Sequence, residues 1–217
     1  MTKHITVLLS GRGTNLAALL AAMRDGTLGG TITRVISNRP AAQGIDLARA
    51  AGVATTVIDH REFVARDAFD LALGQAIDAD RPDLIVLAGF MRVLGEALVR
   101  RYAGRLINVH PSLLPLYPGL HTHRRALEGG ARVHGCTVHF VTPEVDVGPI
   151  IAQAAVPVHD DDDEESLAAR VLVQEHLLLP AAVRWFCEER LVIAGRRVRV
   201  KGVPDATEPA ALRAPPT

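Results

Sequence analysis

Short apolar runs alternate with amphipathic stretches through the first half of this chain, and this alternation constrains the fold more than any other feature. Residues 4–9 form the first apolar run, and after a tight turn residues 15–24 carry apolar side chains at helical spacing. The same unit recurs, with further strands predicted at residues 32–37, 54–58, 84–88 and 106–109 and helices at 44–51, 61–79 and 95–102. Strands that alternate with helices pair in parallel through right-handed crossovers. The sequence therefore predicts an α/β fold, a doubly wound, mostly parallel twisted sheet with helices on both faces.

The pattern changes after residue 110. Residues 115–123 are rich in Pro, Gly and His, which is typical of a surface loop. Strands are predicted at residues 135–141 and 150–156, and they are so close in sequence that they indicate an antiparallel edge in the C-terminal half of the sheet.

A long helix is predicted over residues 166–189, bent or interrupted at Pro180, and a short strand follows at 191–194. Four prolines stand in the chain from residue 204 onward, with little around them that could pack. We therefore expect a single domain over residues 1–200 and a disordered tail over residues 201–217.

The composition disfavours several classes of function. Lys plus Arg and Asp plus Glu number 24 each, so the net charge is zero and a nucleic-acid partner is not expected. Two cysteines, Cys136 and Cys187, are too few for a disulfide framework in 217 residues, which indicates reduced thiols. The N-terminal apolar stretch meets Arg12 too soon for a signal-peptide core, and no later segment resembles a membrane span. We expect a cytoplasmic protein.

An amide, an imidazole and a carboxylate form the strongest candidate reaction centre. Asn108 and His110 alternate along an extended run that Pro111 ends, so both side chains point to one side of a strand end, and Asp146 follows 36 residues after the histidine. The amide can donate to an oxygen that gains negative charge, the imidazole can shuttle a proton, and the carboxylate can keep the imidazole charged. We call Asn108, His110 and Asp146 the trio. Together they predict an acyl-transfer site. Each of them alone could be an ordinary cap or turn residue.

A turn with the sequence SGRGTN, residues 10–15, leads from the first strand into the first helix. A helix N-terminus presents unpaired N–H groups and a positive dipole end, so a phosphate fits there. The SGRGTN turn lacks the Gly-x-Gly-x-x-Gly pattern and a Walker lysine, which disfavours dinucleotides and nucleoside triphosphates. The alternative is an ordinary strand-to-helix turn with Thr14 or Asn15 as the N-cap.

Residues 89–94, with the sequence GFMRVL, follow the fourth strand at the carboxyl edge, where open α/β sheets bind ligands. Their apolar side chains and free backbone groups suit a flat heterocycle, although ordinary packing of a loop against a helix would explain this segment as well. Several histidines follow, but the chain offers no HExxH motif and no paired-cysteine spacing, so no metal site is expected.

These motifs together resemble the folate-dependent phosphoribosylglycinamide formyltransferase family of purine synthesis. The resemblance rests on NVHPSLLP at residues 108–115, YPGLHTH at 117–123 and the SGRGTN turn. It extends through LAGFMR, HFV and QEH, at residues 87–92, 139–141 and 174–176. It covers about residues 4–195, and it is specific because separate motifs occur in the family's order and spacing.

The resemblance implies roles for particular residues. The trio of Asn108, His110 and Asp146 matches the family's catalytic residues. The turn that binds the phosphate of a ribonucleotide is matched by Gly13, Thr14 and Asn15. The segment that holds the ribose is matched by Leu172, Val173, Gln174 and Glu175. Positions that contact the folate, including the loop that closes over its pteridine, are matched by Arg66, Met91, Arg92, Val93, Leu94, Asn108, Thr142, Pro143, Glu144, Val145 and Asp146.

The resemblance also implies a reaction, in which the formyl group of 10-formyltetrahydrofolate, the co-substrate, passes to the amine of N1-(5-phosphoribosyl)glycinamide without a metal. The N-terminal half would bind the ribonucleotide, and the C-terminal half would bind the folate and carry out catalysis. Asp146 is expected to support the charge of His110. The expected partners are small molecules only, with no nucleic acid and no membrane, and the chain would be a monomer or a weak homodimer. One departure is Val147, where many relatives carry a small residue, and this β-branched side chain is expected to stiffen the loop.

Three other functions are compatible with parts of this pattern. Methionyl-tRNA formyltransferase carries a similar trio but needs a basic C-terminal domain, for which we expect no room here. Formyltetrahydrofolate hydrolase transfers the formyl group to water and usually has an extra N-terminal domain. A non-catalytic nucleotide-binding module on the same fold is the third alternative, because a fold alone does not establish activity.

Overall fold

Nine strands form one sheet in the computed structural model of this protein, which describes residues 2–202. The strands are β1 (Lys3–Leu9), β2 (Gly30–Ser37), β3 (Ala54–Val57), β4 (Leu84–Leu87), β5 (Leu106–His110), β6 (Val133–Phe140), β7 (Ile150–Pro157), β8 (Leu191–Ala194) and β9 (Arg197–Val200). Their order across the sheet is β3-β2-β1-β4-β5-β6-β7-β9-β8. Strands β1 to β5 pair in parallel, whereas β6 is antiparallel to both β5 and β7. The predicted doubly wound sheet with an antiparallel C-terminal edge is confirmed.

The helices cover both faces of the sheet. They are α1 (Thr14–Arg24), α2 (Gln43–Ala50), α3 (Arg66–Asp78), α4 (Glu96–Arg101), α5 (Thr122–Glu128) and α6 (Glu164–Cys187). Side chains alternate along β1, so that Val7 and Leu9 pack with α1, α2 and α6 in one core, whereas Leu8 packs with α3 and α4 in the other. Both cores are built mainly from Val, Leu and Ile, since aromatic residues make up only 4% of the chain.

Three parts of the secondary structure differ from what the sequence predicted. The helix expected over residues 61–79 begins only at Arg66, because His60–Glu62 form a separate 3₁₀ turn that Asp59 caps. Helix α5 starts inside the segment predicted as a loop and was not predicted at all. Strand β9 was also not predicted; it adds to the sheet because Val198 packs against the core while the arginines on either side face solvent.

Helix α6 was expected to bend or break at Pro180, but it runs without interruption through this residue. Leu179 and Val183 lie in the core on either side of the proline, and their burial favours a continuous helix despite the lost backbone hydrogen bond. By length and a mean hydropathy of 1.2, α6 could span a membrane, which the sequence analysis did not anticipate. Here it packs on the sheet and on α1.

The expected disordered tail over residues 201–217 lies, from residue 203 onward, outside the described residues. Lys201 and Gly202 form a turn after β9, in which Lys201 N donates to Arg190 O over 2.9 Å.

The SGRGTN turn packs on α2 through a close contact between two glycines. Gly13 has a left-handed φ of 79°, and a Cβ atom there would lie 2.6 Å from Gly44 Cα. A Cβ atom on Gly44 would in turn lie 2.5 Å from Leu9 Cδ2, at the end of β1. The backbone N–H of Gly44 also donates to Gly11 O over 3.1 Å. Helix α2 therefore supports the SGRGTN turn directly.

We predict that Gly44→Ala destabilises the protein by about 1–3 kcal/mol, since the added methyl overpacks a buried site bounded by a core side chain and by backbone. The matched control is Gly74→Ala in α3, where the nearest atom to the added methyl is Leu98 Cδ1 at 3.1 Å. Helix propensity favours alanine over glycine at both positions. Urea denaturation of both variants measures the difference, and equal stabilities would contradict this account of the contact.

Candidate active site

The trio converges at the carboxyl end of β5. Asn108 and His110 lie two residues apart on this strand, so their side chains share one face of the sheet. His110 Nδ1 lies 3.4 Å from Asp146 Oδ2, although 36 residues separate them in the chain. Strand β6 pairs antiparallel with β5 and places His139 opposite Asn108. The structure thus brings together the three residues that the sequence singled out as a reaction centre.

Asp146 is held in place by its own turn and by its neighbours. It has a left-handed φ of 57°, a conformation that Asp tolerates better than most residues. Its Oδ2 accepts a hydrogen bond from Gly119 N at 2.8 Å, and its Oδ1 lies 3.8 Å from His139 Nε2. Val147, the next residue, is 38% exposed. The carboxylate is therefore fixed beside two imidazole rings.

His110 faces an oxygen acceptor on each side of its ring. Nε2 lies 3.0 Å from Tyr117 O, which can only accept a hydrogen bond, and Nδ1 faces the carboxylate of Asp146. The ring is buried. Two acceptors on opposite sides suit the imidazolium form, in which both nitrogens are donors.

His139 belongs to the site but was not predicted as a site residue. Its Nδ1 lies 2.9 Å from Phe140 O, so this nitrogen carries the proton, and Nε2 accepts from Asn108 Nδ2 over 3.2 Å. Burial lowers the pKa of His139, which keeps the ring neutral and able to accept. One N–H of the Asn108 amide is thereby committed, and the other is free for a ligand oxygen. The sequence signal that could have identified His139 is the alternation along β6, because Thr137 and His139 are two residues apart and so lie on the same face of the sheet.

A cavity of about 370 Å³ opens beside the trio. All three trio residues line it, together with His139 and a largely apolar wall. The predicted folate residues among its lining are Met91, Arg92, Val93, Leu94, Asn108, Thr142, Pro143, Val145 and Asp146. Such a cavity, with a few polar groups in an apolar wall, suits a flat heterocycle.

Two predicted folate residues are not among the described residues that line the cavity. Arg66 begins α3, half-exposed, with Nε 3.8 Å from Asp70 Oδ2. Glu144 lies exposed in the loop between β6 and β7, where its carbonyl oxygen accepts a hydrogen bond from Thr142 Oγ1 at 3.1 Å. Both positions are at the surface, where they could reach only a part of the ligand that extends beyond the cavity.

The SGRGTN turn leads into α1 with free backbone donors. Gly13 is the N-cap and no side chain caps the helix, so the alternative of an ordinary turn with Thr14 or Asn15 as the N-cap does not hold. The Asn15 amide instead donates from Nδ2 to Glu175 Oε2 over 2.7 Å. Its Oδ1 is buried without a hydrogen-bond partner among the described residues. The first N–H groups of α1 are thus available to an anion.

Glu175 connects α6 with the SGRGTN turn and with the trio. Burial raises the pKa of Glu175, while the hydrogen bond from Asn15 and the charge of His110 act in the opposite direction. The structure therefore brings two of the predicted ribonucleotide segments together, close to His110. Leu172 and Gln174 are half-buried beside it, but Val173 is 57% exposed and lies on another side of α6.

A cavity lined by the trio at the carboxyl edge of a doubly wound sheet places this protein among the α/β proteins that bind small molecules at that edge. Residues 2–202 contain no cluster of three or more His, Cys, Asp or Glu side chains that could hold a metal ion. The sequence profile of the formyl transferase family matches residues 3–183, and the chain belongs to this family.

Individual relatives cover most of the chain. It is 51% identical over 188 residues to the phosphoribosylglycinamide formyltransferase of Escherichia coli strain K12, covering 87% of this chain and 89% of that protein. The enzyme of the same name from Haemophilus influenzae is 43% identical over 189 residues, with the same coverage of both chains. The crystal structure of glycinamide ribonucleotide transformylase 1 from Symbiobacterium toebii matches with a TM-score of 0.90 and 49% identity, covering 92% of this chain and 94% of that one.

A buried histidine that packs against residues 117 and 123 makes the stability of the protein depend on pH. His134 packs edge-on against His123 and Tyr117, with ring centroids 5.2 and 5.8 Å away. Neither of its ring nitrogens has a hydrogen-bond partner within residues 2–202. Burial and the nearby charges of His123 and His110 lower the pKa of His134 to about 4, against an opposing effect of the Pro111 backbone.

We predict that stability falls as the pH drops from about 6.5 towards 4, because the unfolded chain then binds a proton that folded His134 excludes. Between pH 7 and pH 5 this loss amounts to about 2 kcal/mol. His134→Phe should flatten this part of the pH profile in urea denaturation, whereas the exposed control His159→Ala should not. An unchanged slope in His134→Phe would contradict the assignment.

Proposed function

We propose that this protein transfers the formyl group of 10-formyltetrahydrofolate to the amine of N1-(5-phosphoribosyl)glycinamide, which yields the formylglycinamide ribonucleotide of de novo purine biosynthesis. The observation that carries this proposal is the convergence of Asn108, His110 and Asp146 on one wall of an apolar cavity, in a chain whose relatives are named for this reaction. The free N–H groups of the SGRGTN turn support a phosphorylated acceptor over water.

The reaction begins when the neutral amine of the ribonucleotide attacks the formyl carbon. A C–N bond forms, and the electron pair of the carbonyl moves to its oxygen. Asn108 donates its free N–H to this oxyanion, and the imidazolium of His110 donates as well, while Asp146 stabilises the charge of the ring. His110 would have to exchange its hydrogen bond with Tyr117 O for one with the oxyanion.

The tetrahedral intermediate then collapses. The bond from carbon to the folate nitrogen breaks, the attacking nitrogen loses a proton, and the folate nitrogen gains one with the help of His110. The chemistry itself needs no metal and no covalent enzyme intermediate, because a formyl group on nitrogen is already activated by its donor. The enzyme's contribution is to place the two substrates and to stabilise the oxyanion.

The proposal assigns separate subsites to the two substrates. The phosphate would bind Gly13, Thr14 and Asn15 at the start of α1, and the ribose would contact Glu175. The folate would occupy the cavity between residues 91–94 and 142–146. We propose that residues 1–200 act as one domain on small molecules in the cytoplasm, as a monomer or weak homodimer, without nucleic acid, membrane or metal.

The activity itself is tested by measuring the absorbance of the folate product with and without the ribonucleotide. We expect product only when the ribonucleotide is present. Product in its absence would identify a formyltetrahydrofolate hydrolase, and no product under either condition would identify a non-catalytic module.

We predict that Asn108→Ala, His110→Ala and Asp146→Asn each lower kcat by about 10²–10³ while the protein still folds. The first two substitutions remove a hydrogen-bond donor to the oxyanion, and the third removes the negative charge that stabilises the charged ring of His110. Steady-state rates and circular dichroism measure the two effects. His159→Ala removes an exposed imidazole from the loop before α6 and is the matched control for His110. Near-native turnover in His110→Ala would refute its role.

A further inference from the structure

Ser10 ties together the ends of three neighbouring strands. It is the first residue after β1 and is only 4% exposed. Its backbone N–H donates to Gly89 O over 3.0 Å, after β4. Its hydroxyl donates to Asn38 Oδ1 over 2.5 Å, after β2, and accepts a hydrogen bond from Met91 N at 2.7 Å. All three partners lie at the carboxyl edge of the sheet.

The two segments joined by Ser10 belong to different substrate subsites. The glycine and polar residues of the SGRGTN turn follow Ser10 directly in the chain. Met91 begins the stretch of residues 91–94 that lines the cavity. The far end of this stretch is held by a second buried side chain, since Gly95 N donates to Asp70 Oδ2 over 2.7 Å. Residues 91–94 are therefore held at one end by Ser10 and at the other end by Asp70. Of these two residues, only Ser10 belongs to the SGRGTN turn.

Formyl transfer requires the amine of one substrate to approach the formyl carbon of the other. The two substrates are held by different loops, so this distance depends on the spacing of the loops. A displacement of about 1 Å can cost about 10²-fold in rate. The Ser10 hydroxyl is the side-chain link between these loops, because it accepts a hydrogen bond from the N–H of Met91, at the start of residues 91–94 in the cavity lining.

We propose that Ser10 is a positioning residue that sets the spacing between the ribonucleotide and folate subsites, a role that rests on the proposed function. Loss of its hydroxyl leaves the contacts within each subsite and the backbone hydrogen bond from Ser10 N to Gly89 O in place, but it frees the N–H of Met91 from the SGRGTN turn. Turnover of the complex with both substrates therefore falls, while the affinity for each substrate alone is retained.

The test compares Ser10→Ala with Ser37→Ala. Ser37 is also a buried serine at the end of a strand, but its hydroxyl bonds only within its own turn, to the N–H and the carbonyl oxygen of Arg39 at 3.0 and 2.9 Å. With both substrates saturating, kcat of Ser10→Ala should fall by about tenfold to a hundredfold, with both KM values close to wild type. Ser37→Ala should keep the wild-type kcat.

Two further variants keep the test decisive. Ser10→Thr retains the hydroxyl and should recover turnover. Ser10→Cys keeps a small side chain with a much weaker acceptor, and it replaces the alanine variant if that variant fails to fold. Equal kcat in the Ser10 and Ser37 variants of an active enzyme, or a rise in KM at unchanged kcat, would overturn the role of Ser10 alone. An inactive wild-type protein would instead overturn the proposed function, and this inference with it.

Discussion

The antiparallel pairing of β6 with β5 is the constraint on which the whole site depends. It sets His139 against Asn108 and Thr137 against His110, so β6 runs back along β5 and ends with Phe140 beside Ile107. Asp146 lies in the loop that follows β6. This loop folds back towards the end of β5, because the carboxylate of Asp146 comes within 3.4 Å of His110 Nδ1. The register between β6 and β7 also shifts between Val138 and His139, an irregularity that is common next to active sites.

Burial and charge then decide what each polar group in the site can do. His139 stays neutral because it is buried, and it accepts a hydrogen bond that orients the Asn108 amide. His110 is also buried, but it faces a carboxylate and a carbonyl oxygen, which favour a ring with two N–H donors. Two histidines on adjacent strands thus take opposite roles because their neighbours differ. Glu175 links the polar residues of the site to the SGRGTN turn through its hydrogen bond with Asn15.

Much of the fold could be predicted from the chain because its core strands are continuous apolar runs bounded by turns. Strand β4, for example, is the apolar sequence LIVL, fully buried, and was predicted within one residue. Strand β9 was not predicted, because its alternating arginines resemble solvated chain and its pairing with β7 spans 47 residues between Ile150 and Arg197. Helix α5 escaped because the Pro, Gly and His residues before it are typical of a loop. Among the site residues, His139 escaped because its partner Asn108 lies 31 residues away.

The sequence by itself determined the local elements, the reacting groups on β5 and the free helix N-terminus after the SGRGTN turn, because these depend on residues within one or two turns of each other. Only the tertiary structure decided that Asp146 meets His110, that Asn15 meets Glu175 across 160 residues, and that the hydroxyl of Ser10 meets the N–H of Met91. These contacts depend on strand order and register. Both are set by the packing of the whole sheet rather than by any local pattern.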